Sequence, residues 1–144
     1  PRPVDPALAA ACGASAAPSL DALLGSCDFV SLHCPGGQAT RHLIDRARLA
    51  RMPAHAFLIN TARGEVVEEE ALIDALRSGR LKGAGLDVYR AEPVVPDALL
   101  ALENVVLLPH LGSATEETRI AMGMRVLANL DAFFDGLPVP DPVI

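Results

Sequence analysis

The sequence predicts an α/β protein built on a parallel sheet with flanking helices. Three observations lead there. Short apolar runs recur at Phe29–His33, Ala56–Asn60, Ala84–Val88 and Val105–Leu108, and each reads as a buried parallel strand. Helical patterns stand between the runs, and strand–helix alternation means a parallel sheet. A polar residue then follows three of the runs: Arg63, Glu92 and His110. Ligands of open α/β sheets bind just beyond the carboxyl ends of the strands. A guanidinium, a carboxylate and an imidazole are therefore expected at one edge, a set suited to an anionic substrate with a proton to move.

The elements follow in order. Residues 1–19 are rich in Ala and Pro, with a short helix over Ala7–Cys12. Ser19 to Leu24 reads as a helix capped by Ser19 or Asp21. Strand Phe29–His33 is stopped by Pro35-Gly36-Gly37. Asp45 to Met52 reads as a short helix ended by Pro53. Strand Ala56–Asn60 comes next. Glu68 to Ser78 carries Leu72, Ile73 and Leu76 on one face, an acidic first turn and Gly79 behind it, as dipole and C-cap preferences favour. Two more strands follow. Thr115 to Asp135 reads as a long amphipathic helix closed by Gly136, and the tail 137–144 is Pro-rich and irregular.

Composition narrows the function. With 144 residues, 51% hydrophobic and 21% charged, the chain is globular and one domain at most. Aromatic residues are 3%, so Ala, Leu and Val must build the core. No apolar stretch nears the roughly 18 residues of a membrane span, and Pro1-Arg2-Pro3-Val4 opens no signal peptide. The formal charge of −6, with no basic cluster, argues against nucleic acid. Cys12, Cys27 and Cys34 match no zinc spacing, and His33, His42, His55 and His110 form no metal-ligand pattern; no metal is expected. Reduced thiols in the cytoplasm are the plain reading.

Each candidate residue has an ordinary explanation beside the functional one. Arg63, in Thr61-Ala62-Arg63-Gly64, is either a solvated charge or a planar fork for a carboxylate. Glu92 before Pro93 is either a turn residue or the partner of an acid–base group, and His110 after Pro109 is either a strand terminus or that group. A carboxylate beside an imidazole stabilises the imidazolium, which can give a proton to a carbonyl oxygen as hydride arrives. Gly83-Ala84-Gly85 resembles the start of a G-x-G-x-x-G fingerprint, but Val88 replaces the third Gly and the segment reads as a strand; it is rejected as a phosphate loop. Gly112 and Ser113 open the long helix, either as backbone donors to a ligand or as plain capping. His33, Cys34 and Pro35 either wall a cofactor pocket or are generic loop residues.

Taken together, Val30-Ser31-Leu32-His33-Cys34-Pro35, Thr40-Arg41-His42-Leu43-Ile44, Leu58-Ile59-Asn60-Thr61-Ala62-Arg63-Gly64, Gly85-Leu86-Asp87-Val88, Glu92-Pro93 and Pro109-His110-Leu111-Gly112-Ser113 resemble the C-terminal portion of the D-isomer-specific 2-hydroxyacid dehydrogenases. The likeness runs from about Ser19 to Leu130. It implies a partial Rossmann-type sheet over residues 1–110, and a C-terminal helix and tail over 111–144 that pack back towards a substrate domain. It implies Arg63 as carboxylate anchor, His110 as acid–base residue and Glu92 as its partner. Asp87 would face the nicotinamide carboxamide. His33, Cys34, Pro35, Thr40, Thr61, Ala62, Arg63, His110, Gly112 and Ser113 would line the nucleotide.

The implied activity is NAD- or NADP-dependent interconversion of 2-oxo acids and D-2-hydroxy acids by a homodimeric parent. Glu92 separates the chain from formate dehydrogenases, which carry Gln there, and His110-Leu111-Gly112-Ser113-Ala114-Thr115 leans towards glyoxylate, hydroxypyruvate and 2-ketogluconate reductases. The chain departs from the family pattern at its start: the substrate-binding region and the first β-α-β unit with its glycine-rich turn are missing. The cofactor-selecting position falls at the very edge, near Arg2, which hints at NADP. The chain alone is then expected to be inactive and, with strand Phe29–His33 left as an apolar edge, to self-associate. The rivals are a nucleotide-sensing binding module and a catalytically dead fragment.

Overall fold

Four strands, β1 (Phe29–Leu32), β2 (Phe57–Asn60), β3 (Gly83–Leu86) and β4 (Val105–Leu107), pair in chain order as an all-parallel sheet. The register sets Val30 beside Leu58 and Leu58 beside Ala84, and likewise Leu32, Asn60 and Leu86 across one row. The computed structural model describes residues 5–143, so Arg2, the hint of NADP, lies outside the described residues. The helices are α1 (Pro6–Ala11), α2 (Leu20–Ser26), α3 (Arg46–Leu49), α4 (Glu69–Arg77), α5 (Asp97–Leu100) and α6 (Glu116–Phe134), with a 3-10 turn at Gly64–Val66. The chain forms two compact units, the first ending at Leu108 and the second beginning at Pro109.

In the first unit the core lies on one face of the sheet. Val30, Leu32, Leu58, Ala84 and Leu86 pack with Leu24 of α2, Leu49 of α3, and Leu72 and Leu76 of α4. The opposite face exposes Phe29 and Val106 and half-exposes Phe57 and Ile59. Full burial of the strands, expected from their continuous apolar runs, is therefore met on one side only. Crossovers of one hand that always step the same way across a sheet leave their helices on the same face. Strand β1 is an edge, paired on one side only among the described residues, as the sequence predicts.

Helix ends follow the capping rules. Ser19 Oγ accepts the Ala22 N–H at 3.1 Å, and the Asp45 carboxylate accepts the Arg48 N–H at 2.9 Å. Gly79 and Gly136 each close a helix at a φ of 70°, a conformation glycine adopts without steric cost. Helix α3 is shorter than the predicted Asp45–Met52. The chain leaves the helix after Leu49 and turns to sink Met52, which is 0% exposed, into the core. Helix α5 is a single turn that the sequence pattern does not predict.

In the second unit α6 matches the predicted length, but it is not amphipathic. Ile120, Met124 and Leu127 make one apolar stripe and Met122, Val126, Leu130 and Phe133 a second, and none of its residues is buried. Arg125 and Asn129 of this helix hold Asp141 of the tail, the carboxylate accepting at 2.7 Å from each. That pairing keeps the Asp141 carboxyl below the usual carboxylate range. Among the described residues no helix is long and apolar enough to cross a membrane.

Two contacts brace the carboxyl ends of the strands. A Cβ added to Gly64 would stand 2.0 Å from the carbonyl carbon and 2.1 Å from the carbonyl oxygen of Tyr89, so only glycine lets these backbones touch. Tyr89, 6% exposed, donates its phenol to the Leu108 carbonyl at 2.8 Å and lies 3.2 Å from that of Leu86. Gly64→Ala is thus expected to cost about 3 kcal/mol as an overpacked contact, read as a lowered urea midpoint with an unchanged slope.

Burial raises the Tyr89 phenol pKa, and the negative charges of Asp87 and Glu92 add to the rise. A raised folded-state value means the phenol's contribution to stability is whole below the unfolded value of about 10 and is lost as pH climbs through the folded one. The chain has one Tyr and no Trp. Tyrosinate absorbance therefore reports this group alone, and its midpoint is expected above that of free tyrosine; an unshifted midpoint would mean the ring is open to water.

Candidate functional site

The site begins where β2 ends. Asn60 is 2% exposed, and its carboxamide folds over the next three residues. Its Oδ1 accepts the Ala62 N–H at 3.1 Å and its Nδ2 donates to the Arg63 carbonyl at 3.0 Å. An asparagine that bonds to backbone two residues on makes such a turn because its amide mimics a peptide unit. The turn buries Ala62 and leaves Thr61 and Arg63 exposed. Arg63 has extended backbone, with φ −147° and ψ 145°, and one terminal nitrogen, Nη1, donates to the Ala62 carbonyl at 2.6 Å. The guanidinium has five N–H donors in a planar fork, more than this one bond uses.

The loop after β1 lies against this turn. Its own closure comes from Thr40, whose hydroxyl donates to the Pro35 carbonyl at 2.7 Å and lies 3.3 Å from that of Gly37. The Gly37 N–H donates to the Glu65 carboxylate at 2.6 Å, and Gly36 sits on the aliphatic stem of Arg63. Backbone bonds from His42 to Glu65 and from Ile44 to Val66 continue the seam. His33 lies just beyond β1, its Nε2 2.8 Å from Ser31 Oγ. His33, Cys34, Pro35 and Thr40 thus share one loop beside Thr61–Arg63.

The loop after β3 flanks the turn on its other side, through the Gly64–Tyr89 contact. Asp87 is 4% exposed, and its N–H donates to the Asn60 carbonyl at 3.0 Å. The Glu92 carboxylate accepts the Tyr89 N–H at 3.0 Å, and the Glu92–Pro93 peptide is cis. Three consecutive strand-to-helix loops therefore pack side by side at the carboxyl edge. They carry Arg63, Asp87 and Glu92 together with His33, Cys34, Pro35, Thr40, Thr61 and Ala62 of the residues expected to line a nucleotide.

His110 belongs to the second unit and stands two residues after Leu108, with a φ of 56°. Gly112 and Ser113 lie in the turn ahead of α6 and do not open it as expected. The helix starts at Glu116, and Thr115 caps it by accepting the Thr118 N–H at 3.3 Å. Gly83-Ala84-Gly85 is strand, as its rejection as a phosphate loop requires; a Cβ at Gly83 would meet the Asn104 carbonyl at 2.8 Å.

Sequence reasoning assigned no role to Asn60, Glu65, Gly36 or Tyr89. An Asn closing an apolar strand just before a small-residue turn is a readable signal. The partners of the other three are set by packing between loops and leave no local mark. Among the described residues no cluster of His, Cys, Asp or Glu could hold a metal ion. An exposed guanidinium and a nearby carboxylate loop at a strand-end edge suit recognition of a small carboxylate beside a nucleotide.

Known proteins are similar to this chain in sequence and in fold. The chain is 47% identical over 127 residues to glyoxylate/hydroxypyruvate reductase A of Arabidopsis thaliana, covering 88% of this chain and 41% of that protein. It is 50% identical over 125 residues to the glyoxylate reductase of Korarchaeum cryptofilum, covering 86% and 38%. Among solved structures, the NADPH-dependent glyoxylate/hydroxypyruvate reductase of Sinorhizobium meliloti, in complex with NADP and malonate, superposes with a TM-score of 0.87 at 40% identity. That superposition covers 91% of this chain and 41% of the other. The chain therefore spans about two-fifths of the length of the relatives it matches. Residues 2–112 match the description "D-isomer specific 2-hydroxyacid dehydrogenase, NAD binding domain", and the chain belongs to that family.

Proposed function

We propose that this chain is the nucleotide-binding portion of an oxidoreductase that interconverts 2-oxo acids, such as glyoxylate or hydroxypyruvate, with D-2-hydroxy acids. The observation that carries the reading is the packing of three strand-end loops into one edge that presents Arg63 between the His33–Thr40 loop and the Asp87–Glu92 loop. The relatives named as glyoxylate and hydroxypyruvate reductases support the choice of substrate.

The cofactor is NAD or NADP, and when bound it supplies the hydride. The residues fit its nicotinamide end. Asp87 is fixed at the strand ends by its N–H bond to Asn60, where it would meet the carboxamide. His33, Cys34, Pro35, Thr40 and Thr61–Arg63 would line the nucleotide, with His110, Gly112 and Ser113 contributing from the segment after β4. Residues 1–144 hold no glycine-rich turn of the kind that grips a pyrophosphate. Activity is accordingly expected where such a turn and a substrate domain are joined to this chain, and α6 with the tail would pack towards that domain. The enzyme is read as a homodimer and as cytoplasmic, the second in keeping with three free cysteines.

In this reading Arg63 takes the substrate carboxylate through paired N–H donors, which fixes the carbonyl for attack. His110 gives a proton to the carbonyl oxygen in reduction and recovers it in oxidation, while Glu92 supplies the negative charge that favours the protonated imidazole. Arg63 and the imidazolium together stabilise negative charge growing on that oxygen in a preorganised site.

The test is turnover by the full-length protein carrying this chain, followed by nicotinamide absorbance. Reduction of glyoxylate or hydroxypyruvate supports the reading, and nucleotide binding without any turnover would replace it with a binding module. His110→Gln is expected to lower kcat by about 10²–10⁴-fold, the usual worth of general acid help, with cofactor affinity kept; equal turnover would remove His110 from the mechanism. Arg63→Lys is expected to raise KM for the 2-oxo acid, because an ammonium cannot reproduce the bidentate fork. Unchanged KM and kcat would contradict the anchor.

A further inference from the structure

Gly36 is pinched between two side chains of the neighbouring loop. A Cβ built on it would stand 2.7 Å from Glu65 Oε1, 2.9 Å from Arg63 Cγ and 3.4 Å from Arg63 Cβ. Both side chains come from the turn that leaves β2, and both bear on the loop that leaves β1. The next residue completes the contact, since the Gly37 N–H donates to Glu65 Oε1 at 2.6 Å from a backbone with φ 115°. A hydrogen bond to a carboxylate is short and strong. The loop that receives it is itself closed by the Thr40 hydroxyl. A closed loop pinned by a charge-assisted bond makes a firm floor, and the stem of Arg63 rests on that floor.

We propose that Gly36 and Glu65 are positioning residues for Arg63: Glu65 holds the loop after β1 in place, and the bare backbone of Gly36 sets where the guanidinium emerges. The proposal rests on the reading of Arg63 as the anchor for a substrate carboxylate and deepens it. The loop assigned to the nucleotide is thereby also the template for the substrate anchor. A long side chain with several rotatable bonds would otherwise sample many positions, and fixing it beforehand lowers the entropy lost when a ligand binds.

The geometry also supplies variants that keep the fold. The atoms a Cβ at position 36 would strike belong to the Arg63 and Glu65 side chains and not to backbone, so Gly36→Ala displaces the anchor and the Glu65 carboxylate, while the backbone bonds from His42 to Glu65 and from Ile44 to Val66 keep the loops paired. Glu65→Ala removes the support, and Glu65→Gln keeps an acceptor for the Gly37 N–H without its charge.

The experiment uses the full-length protein and measures KM for glyoxylate, the inhibition constant of oxalate as a carboxylate probe, and the dissociation constant of NAD(P)H. Gly36→Ala and Glu65→Ala are expected to raise KM and the oxalate constant about tenfold, the equivalent of one lost charged hydrogen bond. Because the same loop is read as lining the nucleotide, the NAD(P)H constant is expected to rise as well but by a clearly smaller factor than the oxalate constant, and Glu65→Gln to fall between wild type and Glu65→Ala. All three constants weakened by the same factor would mean that the loops themselves had come apart, and would overturn the positioning role. Wild-type oxalate inhibition in both Gly36→Ala and Glu65→Ala, or weakened NAD(P)H binding with oxalate unaffected, overturns the positioning role. Arg63→Lys run alongside separates the two levels. If it leaves the oxalate constant unchanged, the anchor reading itself fails and the positioning role fails with it.

Discussion

The buried amide of Asn60 is the constraint on which the edge of the sheet depends. Its side chain makes the turn that carries Arg63, and its main-chain carbonyl accepts the N–H of Asp87, where β3 gives way to the next loop. One residue therefore sets both the direction of the chain leaving β2 and the spacing of the chain leaving β3. Removing its polar atoms would leave the Ala62 N–H and the Arg63 carbonyl without this partner, and a buried unpaired polar group typically costs about 1–3 kcal/mol. The close approach of Gly64 to Tyr89 is possible only because that turn has already brought the backbone there.

The strand-end loops are held to one another as well as to the strands beneath them. Gly36 and Gly37 meet Arg63 and Glu65, Gly64 meets Tyr89, and the Arg90 N–H donates to the Glu69 carboxylate at 3.2 Å. Glycine occupies the places where backbone must lie against a neighbour, and a carboxylate occupies the places where a loose N–H must be caught. The result is a polar rim of fixed shape over an apolar core.

Much of this was legible in the sequence. The four strands could be read because their apolar runs are bounded by turn residues, and α4 because Leu72, Ile73 and Leu76 share a face between an acidic start and Gly79. The one-sided burial of the sheet could not be read, since Phe29 and Phe57 look like core and instead stack on each other, 5.1 Å apart. The end of α3 is not legible, because Pro53 is an obvious stop while the pull of Met52 into the core is a tertiary effect. In α6 the apolar residues were visible, but their division into two stripes needs the helix drawn out. At the site, residue types and order pointed to Arg63 and Glu92. The support given by Gly36, Glu65 and Tyr89 joins positions far apart in the chain, and no local pattern encodes it.

The chain-order arrangement of the sheet has a consequence for how the molecule is made. Each pairing joins positions roughly 20–30 residues apart, and loop-closure cost changes by only about 0.6 kcal/mol per doubling of length. No single closure dominates. During synthesis β1 is available first, and β2, β3 and β4 can then dock on the growing side one at a time, each with its crossover already complete. The carboxyl edge is assembled in the same sequence: the His33–Thr40 loop is laid down, Arg63 is set against it, and the loop bearing Glu92 closes over Gly64 last.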